Sequence, residues 1–386
     1  MHRKLRMGMI GGGKGAFIGS IHRMAARMDG QIELVCGAFS RDPEKSRKSG
    51  EALYLPPDRV YDSYSEMIQQ ESQLPEETRM DFVSIVTPNH VHFEPAKQAL
   101  QSGFHVVMDK PMTFDVDEAR RLKQLVDDTR LSLCLTHAYT GYPMIKEARQ
   151  MIAGGTFGEI RKVYVEYPQG WLSAPLEQEG NKQASWRTDP ARSGKAGAMG
   201  DIGTHAADLA EYVSGQQITK LCADINTVVE GRALDDDGSV LLKFNNGASG
   251  VLIATQVAAG EENCLKIRVY GERGGIEWKQ EEANKLMVKW AGKPTEIRRT
   301  GDNVGYISDL ALHNTRTPAG HPEGYLEAFA NLYRNFALTV KARREGKEPK
   351  PEWLDFPGVD EGLRGMLFIE KVIASGQSDK KWIDLD

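Results

Sequence analysis

The sequence predicts an α/β protein in two parts, an N-terminal doubly wound parallel sheet followed by an α+β domain with a large, mostly antiparallel open sheet. Three observations predict it. A strand-length apolar run, Leu5 to Ile10, leads directly into Gly11-Gly12-Gly13-Lys14-Gly15-Ala16-Phe17-Ile18-Gly19. Short apolar runs then alternate with helix-length stretches to residue 137, the pattern of parallel strands joined by crossover helices. From residue 138 onward, successive strand-like runs replace that alternation. At 386 residues the chain is too long for one ordinary core. Two domains are expected, 1–137 and 138–386.

The glycines after the first strand, with a helix from Ser20 to Met28, give the strand, turn, helix context in which a backbone touches a pyrophosphate at a helix N-terminus. The match is GxGxxA at Gly11, Gly13 and Ala16, running on to Gly19, with Lys14, Phe17 and Ile18 in the same loop. A second strand, Ile32 to Phe39, ends in Ser40-Arg41-Asp42-Pro43. NAD sites usually carry an acid there for the ribose hydroxyls, whereas a hydroxyl beside a guanidinium suits a 2′-phosphate. Ser40 and Arg41, with Lys45 and Arg47 as helpers, lean the expectation from NAD(H) toward NADP(H). Asp42 keeps NAD open, and a plain Asp-Pro turn is the third reading.

Helices around Glu51–Leu55 and Tyr64–Gln70 precede a buried strand, Phe82 to Val86, which ends in Thr87-Pro88-Asn89-His90-Val91-His92. Ligands of doubly wound sheets sit outside the carboxyl ends of the strands, so Thr87, Pro88, Asn89 and His92 are expected to line the cofactor site. The next strand, Phe104 to Met108, ends in Asp109-Lys110-Pro111, and Asp109 and Lys110 are expected at the cofactor as well. A lysine fixed between a strand end and a proline, once partly desolvated, would help ionise a substrate hydroxyl. A helix from Asp115 to Asp127 and a strand from Leu131 to Leu135 complete a Rossmann pattern of about six strands.

In the second domain a helix, Met144 to Ala153, precedes strands at 160–167, 218–229, 239–244, 250–257, 265–271, 275–279 and 286–290, with hairpin turns at Asn245-Asn246-Gly247 and Glu272-Arg273-Gly274-Gly275. Helices on one face leave the other to be covered, and a homodimer or homotetramer through this sheet is the expected cover. Residues 291–320 read as a long irregular loop, a lid or a disordered segment. His321 opens a long amphipathic helix reaching Lys341, and a last helix, 362–374, is expected to pack back on the N-terminal domain.

The chemistry concentrates in Gly200-Asp201-Ile202-Gly203-Thr204-His205, a carboxylate and an imidazole four residues apart where a helix begins, hence on one face. The glycine-punctuated lead-in from Arg192 to Ala198 permits close approach of substrate or backbone. The alternative is a helix cap at Asp201 and a satisfied core histidine at His205. A net charge of −5 argues against nonspecific nucleic-acid binding and fits small polar ligands. No stretch approaches the roughly 20 apolar residues of a membrane span, and the basic start Met1-His2-Arg3-Lys4 leads only into a strand. The four cysteines lack CxxC spacing, so neither disulfide nor metal site is expected and a reducing cytoplasm is the expected home.

Together, the glycine loop with Gly19 and His22, Thr87-Pro88-Asn89-His90-Val91-His92, Asp109-Lys110-Pro111 and Asp201-Ile202-Gly203-Thr204-His205 resemble the glucose-fructose oxidoreductase and inositol dehydrogenase family, Gfo/Idh/MocA, over nearly the whole chain. Asp109 stands where that family usually has glutamate. The resemblance implies sugar binding against the nicotinamide between a Rossmann domain and an open-sheet domain, with Lys110, Asp201 and His205 as catalytic trio. It also implies substrate contacts from Trp186 and Arg187, to which Tyr139 and His321 are added. The implied reaction is reversible oxidation of a secondary alcohol on a cyclic sugar, sugar derivative or inositol. Two alternatives use the same residues, redox-assisted glycoside cleavage through transient sugar oxidation and a non-catalytic nucleotide-binding regulator.

Overall fold

Among the described residues, 3–385 of a computed structural model, two sheets carry the fold. Met1 and His2 of the basic start lie outside them, as does Asp386. The first sheet comprises β1 (Leu5–Gly11), β2 (Ile32–Ala38), β3 (Phe82–Val86), β4 (His105–Met108) and β5 (Leu133–Leu135). Its order is β2-β1-β3-β4-β5 and every pairing is parallel. The expectation of about six strands is corrected to five, because after β5 the chain turns through Ala138–Gly141 into the helix Pro143–Ala153. β3, β4 and β5 are buried along their whole length, as strands covered on both faces must be, which is why their sequences are apolar runs rather than alternations. Strand order reverses around β1, so the carboxyl ends of β1 and β3 form the switch point where such sheets bind ligands.

The chain divides into two compact units, and the division corrects the expected boundaries. The first unit runs to Ala138 but also takes Phe329–Leu363; the second is Tyr139–Ala328 with the chain from Arg364 onward. The physical reason is the apolar face of the helix Tyr325–Arg344: the rings of Phe336 and Phe82 lie 5.1 Å apart, and Leu135 N donates to Pro357 O at 2.8 Å. Each side chain buried this fully contributes about 1.5–3 kcal/mol. The last helix, Val359–Gly376, opens in the first unit, with Gly362 against Met112, and continues in the second. The helix expected around Glu51–Leu55 spans Pro43–Ala52 and stops before Tyr54, whose φ is +58°.

The second sheet comprises β6 (Ile160–Pro168), β7 (Ile218–Asn226), β8 (Asp237–Phe244), β9 (Ser249–Thr255), β10 (Lys266–Gly271), β11 (Gly274–Lys279), β12 (Lys285–Trp290), β13 (Glu296–Arg299) and β14 (Ile383–Asp384). The order is β13-β12-β11-β10-β6-β9-β8-β7-β14; β6 and β9 pair in parallel and the other pairs are antiparallel. Residues 291–320 are corrected from lid or disorder to ordered structure. β13 extends the sheet and a helix forms at Asp309–His313, because buried Glu147 takes Arg298 Nη1 at 2.5 Å and Ser308 N at 2.7 Å. No helix among the described residues is long and apolar enough to cross a membrane.

Candidate active site

In the first unit the glycine loop is shaped by close backbone approaches. Gly11 and Gly12 have φ of +81° and +69°, and a Cβ on Gly13 would sit 2.8 Å from both Phe39 O and Ser49 Oγ. Gly19, inside the helix Phe17–Met28, is where a Cβ would meet Gly12 Cα at 2.4 Å, so Gly19 fills the third glycine role that lets helix and loop pack closely. That helix has no acidic residue in its first turn and no side-chain cap, while Gly15 opens to space, so loop and helix start fit a pyrophosphate. Lys14 is engaged through its backbone, N to Ser49 Oγ at 3.1 Å, and Ala16 N bonds Gly13 O; Phe17 is 64% exposed at the helix start beside Ile18.

At the end of β2 Asp42 caps the next helix, accepting from Glu44 N at 3.0 Å and Lys45 N at 3.2 Å, which bears out the Asp-Pro turn. Ser40 Oγ accepts from Asp42 N at 3.2 Å, leaving exposed Arg41 as the cation there. The expected helpers have other partners, Lys45 with Asp42 and Arg47 with Asp62.

The segments after β3 and β4 are tied together by His92, which is wholly buried with Nε2 2.8 Å from Thr87 O and Nδ1 2.8 Å from Pro111 O. This corrects its expected role as a cofactor ligand, since both ring nitrogens are occupied by protein. Asp109 is likewise structural here, its Oδ1 accepting from Lys110 N at 2.9 Å and Thr136 Oγ1 at 3.2 Å. Thr87 Oγ1 reaches Val91 O at 3.3 Å, and Asn89, in the turn that Pro88 opens, is buried. Lys110 is half-buried; burial first, then the Lys110 charge, lowers the His137 pKa to about 3.

In the second unit Met199–Gly203 is a π-helical turn running into the helix Thr204–Ser214, with Asp201 in the wide turn and His205 in the first α turn. Such turns are common at functional sites. Asp201 is not the helix cap. The amides of Gly197 and Met199 donate to buried Asp235 at 2.6 and 2.7 Å; burial pushes that carboxyl above its usual range while the amides oppose it. Asp201 Oδ2 instead accepts from Arg187 Nε at 3.0 Å and Gln256 Nε2 at 2.9 Å. The Arg187 guanidinium lies 4.3 Å from the Trp186 ring and 5.6 Å from the Trp171 ring, and Gln183 Oε1 takes both Arg187 Nη1 and Trp186 Nε1. Arg187 thus gives Nε to the carboxylate and Nη1 to Gln183.

The network continues from Gln256 through Gln169, which also receives Trp171 Nε1, to Asn263 and Tyr167. The hydroxyls of Tyr167 and Tyr139 are hydrogen-bonded, and burial raises both their pKa values. Tyr139 meets the His205 ring edge-on at 4.8 Å, with Tyr167 at 6.4 Å. Asp201, His205, Tyr139, Trp186 and Arg187 thus share one network. His321 does not join it and lies exposed in a turn closed by its N–H to Pro318 O. The sequence reading missed Tyr167, Gln169, Trp171, Gln256 and Asn263. Polar residues at the ends of β6 and β9 were part of the signal, Tyr167, Gln169 and Gln256 among them, but only the parallel pairing of those strands brings these together.

Beside this network Arg232, its side chain 2% exposed, grips Glu177 and Asp236 and donates to the carbonyls of Leu172 and Ala174. It walls a small cavity with Arg187, Asp235 and Gln256.

Residues 5–137 match a family described as an oxidoreductase family with an NAD-binding Rossmann fold, and residues 145–277 match the GFO/IDH/MocA C-terminal domain. With the glycine cradle, these matches define the class as an NAD-binding oxidoreductase. The chain belongs to the Gfo/Idh/MocA family. It is similar to an inositol dehydrogenase homolog from Azotobacter vinelandii complexed with NAD+, at 35% identity and a TM-score of 0.93 over 100% of this chain and 98% of that one. The same homolog complexed with NADH and myo-inositol aligns with a TM-score of 0.90. An oxidoreductase from Sinorhizobium meliloti is 42% identical with a TM-score of 0.88 over 99% and 100% of the two chains. Levoglucosan dehydrogenase from Pseudarthrobacter phenanthrenivorans is 26% identical over 78% of this chain and 79% of its own.

Proposed function

We propose that the protein is an NAD(H)-dependent dehydrogenase acting on a secondary alcohol of an uncharged cyclic sugar, sugar derivative or polyol. The observation that carries this reading is Asp201, held by Arg187 and Gln256 in a π turn that leads into His205. Bound nicotinamide, with its pyrophosphate on Gly11–Gly19, would supply the hydride acceptor. His205 takes the hydroxyl proton as general base. Asp201 orients the substrate or His205, and Lys110 stabilises the developing alkoxide. Trp171 and Trp186 offer apolar faces for sugar C–H groups.

Two features support an uncharged substrate. The guanidiniums of Arg187 and Arg232 are both engaged with carboxylates, and the compounds named for relatives matched over more of this chain, myo-inositol and levoglucosan, carry no charge, whereas relatives matched over less of it are named for UDP-N-acetylglucosamine and glucose-6-phosphate. NAD(H) replaces NADP(H) as the proposed cofactor, because Lys45 and Arg47 have partners and the Azotobacter homolog carries NAD+ and NADH. Initial rates read at the nicotinamide band, over inositols, anhydrosugars and sugar phosphates with each nucleotide, test the reading. Turnover of sugar phosphates alone overturns the substrate class, tighter binding of NADP(H) overturns the cofactor, and aglycone release without net reduction favours redox-assisted cleavage. A homo-oligomer through the second sheet is part of the proposal. Leu241, Val251 and Tyr164 are lateral neighbours in one row, with Leu241 47% exposed. Light scattering that returns a monomer removes it.

A further inference from the structure

His92 poses a hydrogen-bonding problem that its surroundings solve in one way. Both ring nitrogens lie 2.8 Å from backbone carbonyl oxygens, Nε2 from Thr87 and Nδ1 from Pro111, and the side chain is wholly buried. Carbonyl oxygens only accept, and a neutral imidazole has one N–H. A neutral ring would therefore set a nitrogen lone pair against a carbonyl lone pair at 2.8 Å, and turning it over puts carbon atoms at both positions instead. Only the doubly protonated ring satisfies both contacts.

The groups facing the ring are Asp109, His90 and His22. The His92 pKa lies below the ordinary imidazole value on balance, burial being the largest influence, while Asp109 and the two carbonyls push it up and His90 pushes it down. The His22 pKa is lowered to about 4, mainly by burial, so His22 is neutral at ordinary pH and Asp109 supplies the compensating charge. Burial opposes a cation, but the lone-pair conflict of the neutral ring is the stronger constraint, because it cannot be relieved without separating the two segments.

We propose that His92 is a buried imidazolium whose two N–H groups clamp the segment after β3 to the segment after β4, making it a positioning residue for the nucleotide loop Thr87–Asn89 and for Lys110. The clamp lies wholly within the first unit, and it rests on nucleotide binding by that unit, not on the identity of the sugar. The loss of one N–H would convert one hydrogen bond into a repulsion and let the two segments part.

The full chain, labelled with 15N in its histidines, tests this directly. Through-bond assignment of the wild-type ring should show hydrogen on both His92 nitrogens at neutral pH; a single N–H overturns the proposal. NADH titration without sugar gives the second reading. H92Q, which keeps one donor, should bind about tenfold more weakly than wild type, and H92F more weakly still, as expected for lost charge-assisted bonds. Wild-type affinity should fall as pH is raised through the ring's deprotonation, a step that H92Q lacks. Unchanged affinity in H92Q overturns the clamp. A wild type that binds no NADH would count against the cofactor reading, and the ring spectrum would still decide the charge.

Discussion

The glycine cradle of the first unit and the Asp201 network of the second are built by opposite means. From Gly11 to Gly19 the shape comes from consecutive residues that fold back on their own backbone, with Gly12 and Gly19 in near contact. Asp201 is held by Arg187 and Gln256, and His205 is bordered by Tyr139 and Tyr167, side chains drawn from a loop, a helix and the ends of two strands. A local cradle is readable in a short window of sequence. A network assembled from distant positions can be retuned one contact at a time, which suits the half proposed to choose the sugar.

The largest expected effect tests whether the distant network does the chemistry. His205→Gln and Lys110→Met should each lower turnover by about 10²–10⁴-fold, the range for losing a general base or an alkoxide stabiliser, while NADH binding by calorimetry stays near wild type. Near-normal turnover in both would remove the catalytic assignment.

Acid should next separate the units by stability. His22 and His105 have pKa values lowered to about 4 and His137 to about 3, burial being the main cause in each, against about 6.5 in an unfolded chain. Their contribution is complete above pH 6.5 and is lost as pH falls toward 4, by about 1.4 kcal/mol per ring per pH unit, or roughly 3 kcal/mol per ring at pH 4. All three lie in the first unit. Hydrogen exchange should show β1–β5 losing protection before β6–β13 between those pH values; the reverse order would contradict the sign.

A smaller effect is expected at Arg187. R187Q leaves Asp201 without its cation and should reduce kcat/KM about tenfold to a hundredfold with NADH affinity unchanged, whereas a direct sugar contact would show mainly in KM. Smallest is G19A, whose Cβ must displace the Gly12 backbone; about tenfold weaker NADH binding with an unaltered sugar KM is expected. If G19A moves the sugar KM and R187Q moves NADH affinity, the contrast between the halves fails.

How much could be read in advance follows the same divide. The first unit's strands, its glycine loop and the Asp109-Lys110-Pro111 turn are legible because apolar runs and turn residues act over a few positions. Most strands of the second sheet were legible by alternation, but the two-residue β14 and β13 were not, since β13 has an almost entirely exposed burial pattern and is held by pairing with β12 and by Arg298 reaching Glu147. The capping role passed from Asp201 to Asp235, 34 positions later in the chain, where no local pattern connects the two. The transfer of Phe329–Leu363 to the first unit was hidden for the same reason: amphipathicity shows that a helix has a face to bury, not which sheet will bury it.

The neighbours Asp235 and Asp236 carry a consequence for redesign. Asp235 fixes the start of the Asp201 helix, and Asp236, through Arg232, fastens the loop that leads to Trp186 and Arg187. Both anchors belong to one turn of the chain before β8, so the stretch from Trp171 to Ser193 is a cassette fastened by that turn through Arg232, by Trp171 on Gln169 and by Arg187 on Asp201. A library that varies Trp186 and Thr188 while keeping Glu177, Arg187, Arg232, Asp235 and Asp236 would explore new sugars on an unchanged helix, and a library that touches Arg232 or Asp236 would loosen the loop.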